Sequence, residues 1–452
     1  MRNINVVDAP CGAGKSSFAI QMINQNPGQR FIYCTPFLDE LERIRKSTGS
    51  GRFASPEYVG FDADNKMTIY PTKLESFHEL LRQGRDIAVT HTTLLNSNEK
   101  TFDLIGQRDY ILLQDEPLDL VQRFDATSGV ADHERQMTDK DDLKHLQMDG
   151  YIEISQEDGK VTWRRSSWGQ FSELNKYCNM NRLYRLGEDK LMCVFPPEFF
   201  DLFKEVYVFD YLFKDTINCA YFRKYGIPYE TMSVEKTDSG YQLADYDLEK
   251  EYEYRQSIRR LITVYGGEGR YPRRCLCKNW FKSTTTKEIE KLSARMGYFF
   301  RFLAQVKAKD AMWSCPVLYM DIMKTPGYVR TRGLNKEEKR LSEKEQEERK
   351  KELRTFVPCN ARATNVYKDR SALAYCYNLY PPTEIETFFL SGENKSLFDR
   401  DGYAKQALIQ WIFRSRIREG QPINLYLPSA RMEKLFNEFF DELARPVLDA
   451  AS

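Results

Sequence analysis

Near its start the chain sets a turn of small residues between an apolar strand and a helix, and this junction limits the fold more than any other feature. Ile4-Asn5-Val6-Val7-Asp8 is followed by Ala9-Pro10-Cys11-Gly12-Ala13-Gly14-Lys15-Ser16-Ser17, and a helical pattern runs from about Lys15 to Asn24. Small residues here let successive backbone N–H groups curl around an anion at the positive end of a helix. Except for Ala9 in place of the first glycine, the run fits Gly-x-x-x-x-Gly-Lys-Ser/Thr, the phosphate-binding P-loop. In that geometry Pro10, Cys11, Gly12, Ala13, Gly14, Lys15, Ser16 and Ser17 wrap nucleotide phosphates. Lys15 reaches the β and γ oxygens, and the Ser16 hydroxyl ligates magnesium. The expected cofactors are ATP and Mg2+.

Strand and helix signals alternate from this junction onward. Arg30–Thr35, Asp86–Thr90 and Tyr110–Gln114 read as strands, and Leu38–Arg45 and Ser76–Gln83 as helices. Such alternation predicts an α/β fold with a doubly wound parallel sheet. The apolar strand at Tyr110 ends in Asp115-Glu116. A nucleotide-bound magnesium needs a carboxylate at the end of a neighbouring strand. Asp115 is the candidate metal residue, and Glu116 the candidate base that polarises the attacking water. The sheet resumes at Val206–Tyr211. Residues 118–190 read as an insertion, with a hairpin over Tyr151–Arg164 turning at Asp158-Gly159. A helical decoration is the simpler reading of this insertion. A helix–wing module is the alternative, because Trp163-Arg164-Arg165 could clamp a strand.

The P-loop and Asp115-Glu116 together resemble helicase superfamily 2, in which the P-loop often opens with Ala-Pro and the second motif is Asp-Glu on a strand. The resemblance implies two RecA-like lobes: residues 1–235 with the insertion, a linker at 236–257, and residues 258–452 with a charged segment at 335–354. ATP would be hydrolysed in the cleft between them. Tyr33–Leu41 resembles motif Ia and Val89–Leu95 the threonine-rich segment after it, which implies nucleic-acid backbone contacts from Pro36, Thr90, His91 and Thr92. Where motif III usually reads Ser-Ala-Thr, this chain has Phe209-Asp210-Tyr211.

In the second half, Gln410-Trp411-Ile412-Phe413-Arg414-Ser415-Arg416-Ile417-Arg418 resembles motif VI, with Phe413 replacing the glycine and the last arginine displaced by one. On a helix spanning Gln406–Arg418, Arg414 and Arg418 share a face, and the resemblance makes them arginine fingers. Asn360–Asn365, following a strand at Thr355–Pro358, resembles motif V and makes Thr364 and Asn365 nucleic-acid candidates. Trp280-Phe281 with Ser283–Thr286 stands where motif IV belongs.

Charge narrows the partners. With 67 Lys+Arg against 66 Asp+Glu there is no global basic field, so nucleic acid would have to be gripped in a local groove. No apolar run approaches the ~18 residues of a membrane span. The ten cysteines are scattered, with Cys275 and Cys277 the closest pair, which suits reduced thiols in the cytoplasm. The reading is an ATP-dependent helicase or translocase of phage or mobile-element type. Its track would be single-stranded or partly duplex nucleic acid, DNA ahead of RNA, with replication-type protein partners possible and no membrane. One alternative is an ATPase switch in a protein complex that does not unwind. Another is a P-loop small-molecule kinase.

Overall fold

The computed structural model describes residues 4–49, 51–61, 66–124, 140–166, 171–188, 190–266, 270–359, 366–391 and 395–441. The chain forms two compact units, Met1–Tyr246 with Pro382–Asp399, and Asp247–Pro381 with Arg400–Ser452.

In the first unit the described residues build an eight-stranded sheet from β1 (Ile4–Asp8), β2 (Arg30–Thr35), β3 (Phe53–Ala54), β4 (Asp86–Thr90), β5 (Tyr110–Asp115), β6 (Glu205–Asp210), β7 (Tyr229–Thr237) and β8 (Gly240–Asp245). Their order is β8-β7-β1-β6-β5-β2-β4-β3. Every pairing is parallel except the β7–β8 hairpin. Parallel strands need crossovers that cover both faces of the sheet, which is why β2 and β5 are apolar almost throughout. The helices are α1 (Lys15–Gln25), α2 (Leu38–Ser47), α3 (Lys73–Gln83), α4 (His91–Leu95), α5 (Glu99–Gly106) and α6 (Ile217–Lys224). Alternate residues of the central strands, among them Val7, Tyr33, Leu113 and Phe209, pack with Phe18, Ala19 and Ile23 of α1 and Leu41 and Ile44 of α2.

The insertion has its own small core of Leu143, Leu146, Ile152, Val161, Leu174 and Leu183. The expected hairpin forms, with Ile152–Ile154 antiparallel to Val161–Trp163. Arg182 ties this module to the sheet: its buried guanidinium donates to the carbonyls of Leu95 and Ser97, at the end of α4.

The second unit begins with α7 (Leu248–Arg259) and has a parallel sheet of β9 (Ile262–Tyr265), β10 (Ala311–Ser314), β11 (Ala372–Tyr375) and β12 (Ile423–Tyr426), in the order β9-β12-β11-β10. Around it lie α8 (Thr286–Tyr298), α9 (Arg400–Ile412) and α10 (Ala430–Asp441). The chain is thus an α/β protein with mainly parallel sheets.

Four local expectations change. Residues 236–257 hold β8 and most of α7, where a linker was expected. Tyr241 and Leu243 pack on the core, while the polar Gln242 between them belongs to the same edge strand. Pro382–Asp399, expected within the second lobe, belongs to the first unit, where Glu384 pairs with Lys190 at 3.1 Å and Arg123 at 3.5 Å. Thr355–Pro358 gives a single bridge, Trp313 to Phe356, and not a strand. The helix expected over Gln406–Arg418 ends at Ile412 and is followed by a separate 3-10 turn, Arg416–Glu419. Ser415 causes the break. Its hydroxyl donates back to Ile412 O at 2.7 Å and accepts from Ile417 N, competing with the helical ladder.

Candidate functional site: a glycine turn facing strand-end carboxylates

The turn after β1 is shaped by its glycines. Gly12 (φ 92°) and Gly14 (φ 103°) take left-handed conformations that side chains resist. Gly14 caps α1 without any side-chain hydrogen bond. The first N–H groups of the helix therefore have no protein side chain competing for them. Cys11, Ala13, Ser16 and Ser17 are half-buried around this turn, with Pro10 at its entrance. Lys15 folds back over the loop, its ammonium donating to the carbonyls of Ala9 and, at 3.1 Å, Pro10.

Parallel register lines up the other functional groups. Val7 pairs with Phe209, and Phe209 pairs with Asp115, so Asp115 lies on the α1–α2 side of the sheet. Its carboxyl is pushed up from 3.8 to about 7. Burial is the main cause, then the charges of Glu116 and Glu40, opposed in part by the Tyr33 hydroxyl and the Lys15 ammonium. Glu116 follows in a left-handed conformation, φ 63°. It is held there by its N–H donating to Phe209 O at 3.1 Å and by Gln114 Nε2 donating to its carbonyl at 3.3 Å. Strain of this kind in a non-glycine residue costs ~1–3 kcal/mol and persists where the surroundings impose it. His91 Nε2 lies 3.0 Å from Asp115 O, so the start of α4 is tied to the strand end that carries the carboxylates.

Asp8 and Asp210 are register partners, displaced by one residue from that row and so on the opposite face. Asp8 accepts from the backbone of Leu212 at 2.8 Å and Phe213 at 3.0 Å. These bonds hold Leu212 left-handed (φ 62°). Asp210 is pushed well above the carboxylate range, by burial first and by Asp8 next. The departure from Ser-Ala-Thr at Phe209-Asp210-Tyr211 therefore puts Phe209 in the core against Phe18 and an acid with raised proton affinity behind the P-loop strand.

The groups present suit a magnesium-bound nucleotide. An anion cradle and an ammonium lie at one strand end, with a hydroxyl at Ser16 and carboxylates two strands away. Among the described residues, Thr35 Oγ1 and Gln114 Oε1 are buried at the same sheet edge with no protein hydrogen-bond partner. Metal-sized clusters of three or more His, Cys, Asp or Glu are absent from the described residues.

The nucleic-acid candidates divide. Pro36 is half-buried after β2, and Thr92 is exposed on α4. Thr90 caps α4 by accepting from Thr93 N at 3.3 Å, and His91 is buried against Asp115. Thr364 and Asn365 lie outside the described residues. At the motif IV position Thr285 caps α8 and Phe281 is buried, both structural duties. Arg414 and Arg418 do not share a helical face. Arg414 is buried in the turn after α9, and Arg418 is half-buried in the 3-10 turn. The sequence alone does not single out Tyr33, Gln114, Asp8 and Tyr241. Of these, Tyr241 had a signal, the alternation of Tyr241 and Leu243 within a polar stretch.

Comparison with known proteins adds the following. A family model described as "YonV C-terminal Rossmann-like domain" matches residues 256–440. The SPbeta prophage-derived uncharacterized protein YonV of Bacillus subtilis (strain 168) is 28% identical over 456 residues, covering 98% of this chain and 99% of that protein. Among solved structures, S. tokodaii Xpd4 aligns with TM-score 0.49 at 13% identity, over 97% of this chain and 94% of that one. An XPD helicase aligns with TM-score 0.49 at 10% identity, over 96% and 94%. The helicase MrfA bound to DNA aligns with TM-score 0.35 at 11% identity, over 96% of this chain and 49% of that chain.

Proposed function

We propose that this protein is a magnesium-dependent ATP hydrolase that works as a nucleic-acid helicase or translocase. The observation that carries the reading is the convergence of Lys15 and Asp115-Glu116 at one edge of a parallel sheet, close enough that the Lys15 charge lowers the proton affinity of Asp115. Bound magnesium would polarise the γ-phosphate and neutralise developing charge. The chain's own groups do the rest. Lys15 leaves the Ala9 and Pro10 carbonyls for phosphate oxygens, Ser16 and Asp115 hold the metal and its waters, and Glu116 orients water. For transferred charge the superfamily resemblance assigns Arg414 and Arg418, of which Arg418 is the more accessible. Pro36 and Thr92 support contacts to a nucleic-acid backbone through the segments that resemble motif Ia and its successor.

The test is ATP turnover by the full chain with and without single-stranded DNA and RNA, beside Glu116→Gln. Stimulation by one polymer, lost in the variant, is the expected result. Hydrolysis indifferent to both polymers would remove the motor reading. A second reading, a nucleotide switch within a protein complex, is favoured by the separation of Arg414 from Arg418 and by Phe209-Asp210-Tyr211 in place of Ser-Ala-Thr. A protein partner that stimulates turnover in the absence of polynucleotide would establish it.

A further inference from the structure

One aromatic side chain stands against the glycine turn, and the phosphate chemistry described above does not use it. Tyr241 lies on β8, the edge strand beyond β7, which itself pairs with β1. Its Cε1, Cδ1 and Cζ atoms stand 2.1, 2.5 and 2.9 Å from the place a β-carbon on Gly14 would occupy. One edge of the ring is therefore in contact with the loop main chain immediately before Lys15. The ring is half-buried and packs on the same core as Ala13 of the loop.

The placement is fixed from α1. The Gln21 side chain grips the backbone of Tyr241 at both ends: Oε1 accepts from Tyr241 N at 2.7 Å and Nε2 donates to Tyr241 O at 2.9 Å. The preceding residue must be glycine. Gly240 has φ 124°, and the Gln21 amide oxygen lies 2.1 Å from where its β-carbon would stand. Gln21 is one turn beyond Ser17 on α1, so the helix face turned towards β8 carries the end of the loop as well. The opposite flank of the loop, on the β6–β5 side, carries Asp115 and Glu116. One flank is thus acidic and suits metal and water. The other is aromatic.

We propose that Tyr241 contacts the nucleoside of a triphosphate bound in the P-loop, its ring serving as the surface on which the base stacks. The inference rests on the P-loop reading above. With the γ-phosphate end fixed by Lys15, the α-phosphate lies at the first turn of α1, and the uncharged nucleoside leaves the acidic flank for the aromatic one. Base stacking on an aromatic ring tolerates any base, because every base offers a π-face. This site therefore favours purines by stacking area and makes little distinction among them.

The test compares Mg·ATP with Mg·tripolyphosphate, which carries the phosphates without a nucleoside. Titration calorimetry on the full chain would measure both ligands against wild type, Tyr241→Phe and Tyr241→Leu. Leucine keeps apolar bulk against Gly14 and loses the π-face. The expected result is ATP bound about 5- to 150-fold more weakly by Tyr241→Leu, the range base stacking supplies. Tripolyphosphate affinity stays unchanged, and Tyr241→Phe behaves as wild type. Loss of affinity for both ligands alike, or for neither, overturns the role of Tyr241 and leaves the P-loop standing. Wild-type protein that binds neither ligand sinks the P-loop reading and this inference with it. Should Tyr241→Leu fail to fold, Tyr241→Trp decides. Fluorescence quenched by ATP and not by tripolyphosphate, above the signal of the chain's five tryptophans, supports stacking, and equal quenching refutes it.

Discussion

Replacing Asp115 with asparagine should stabilise the ligand-free protein, and the gain should grow with pH. The Asp115 carboxyl is held at about 7 in the fold against an ordinary 3.8, chiefly by burial and by the neighbouring charges of Glu116 and Glu40. An unfolded chain releases this proton by about pH 5, whereas the folded chain keeps it to about 7. Between those values the native state binds more protons than the unfolded state, so native stability falls as pH rises. At about 1.4 kcal/mol for each tenfold change in proton affinity, the ionised carboxyl costs the fold on the order of 4 kcal/mol by pH 8, and less than half of that at pH 5. Residual exposure of Asp115 makes these values upper limits. Asparagine is isosteric and uncharged, so the two melting midpoints should lie closest near pH 5. They should part by a further 5–10 °C or so at pH 8, for a unit of this size. Scanning calorimetry on both proteins at pH 5, 6, 7 and 8, without nucleotide, reads the gap directly, and other titrating groups cancel in the difference. Magnesium with ATP should then stabilise the wild type and leave Asp115→Asn unmoved. A gap that does not vary with pH, or an asparagine variant that is the less stable at pH 8, would refute the electrostatic argument.

Three further outcomes can be checked with standard assays. Glu116→Gln should bind ATP as wild type and turn it over about 100- to 10,000-fold more slowly, the usual contribution of a positioned base, as read by single-turnover hydrolysis. Arg182→Leu removes the two donations to Leu95 and Ser97 carbonyls and should cost about 2–4 kcal/mol, lowering the first unit's melting midpoint while leaving Lys15, Asp115 and Glu116 in place. Arg414→Ala and Arg418→Ala should separate. The first removes a buried side chain and lowers stability, and the second lowers ATP turnover at unchanged melting temperature. Melting curves and steady-state rates on the pair decide this.

What the sequence disclosed follows from how many residues each feature needs. The P-loop is a local object: a strand, two left-handed glycines, a lysine and a helix, all within about twenty residues. Asp115-Glu116 was readable because an apolar strand gives its end away. The α/β class followed from alternating periodicities. Contacts set by register were not readable. Nothing in Val206–Tyr211 by itself says that β6 lies between β1 and β5, yet that order brings Asp210 beside Asp8 and Phe209 beside Asp115. The polar, tyrosine-rich stretch after Thr237 looked like a linker because an edge strand has one unpaired side and tolerates polar residues. The helix carrying Arg414 was read too long because Ser415 competes through its hydroxyl, a break that leaves the apolar spacing of Trp411, Ile412 and Ile417 intact.

The costs in this first sheet gather at the edge where the candidate site lies. Glu116 is left-handed, Leu212 is left-handed, and Thr35 and Gln114 each bury an oxygen with no protein partner. A buried unsatisfied polar atom costs about 1–3 kcal/mol, and a left-handed non-glycine residue about as much. A sheet optimised for stability alone would hold valine at position 35 and leucine at position 114, matching Phe31, Ile32, Leu112 and Leu113 beside them. The two left-handed residues each have a visible partner. Gln114 spends its amide N–H on the Glu116 carbonyl, and Asp8 spends its carboxylate on the turn at Leu212. Both hold a strained residue in place at the end of a strand. Glu116 is only partly buried at this strand end, in a backbone conformation its side chain resists. In the hydrolase we propose, this conformation fixes the direction of the Glu116 carboxylate, since a base that orients water must be aimed before the substrate arrives.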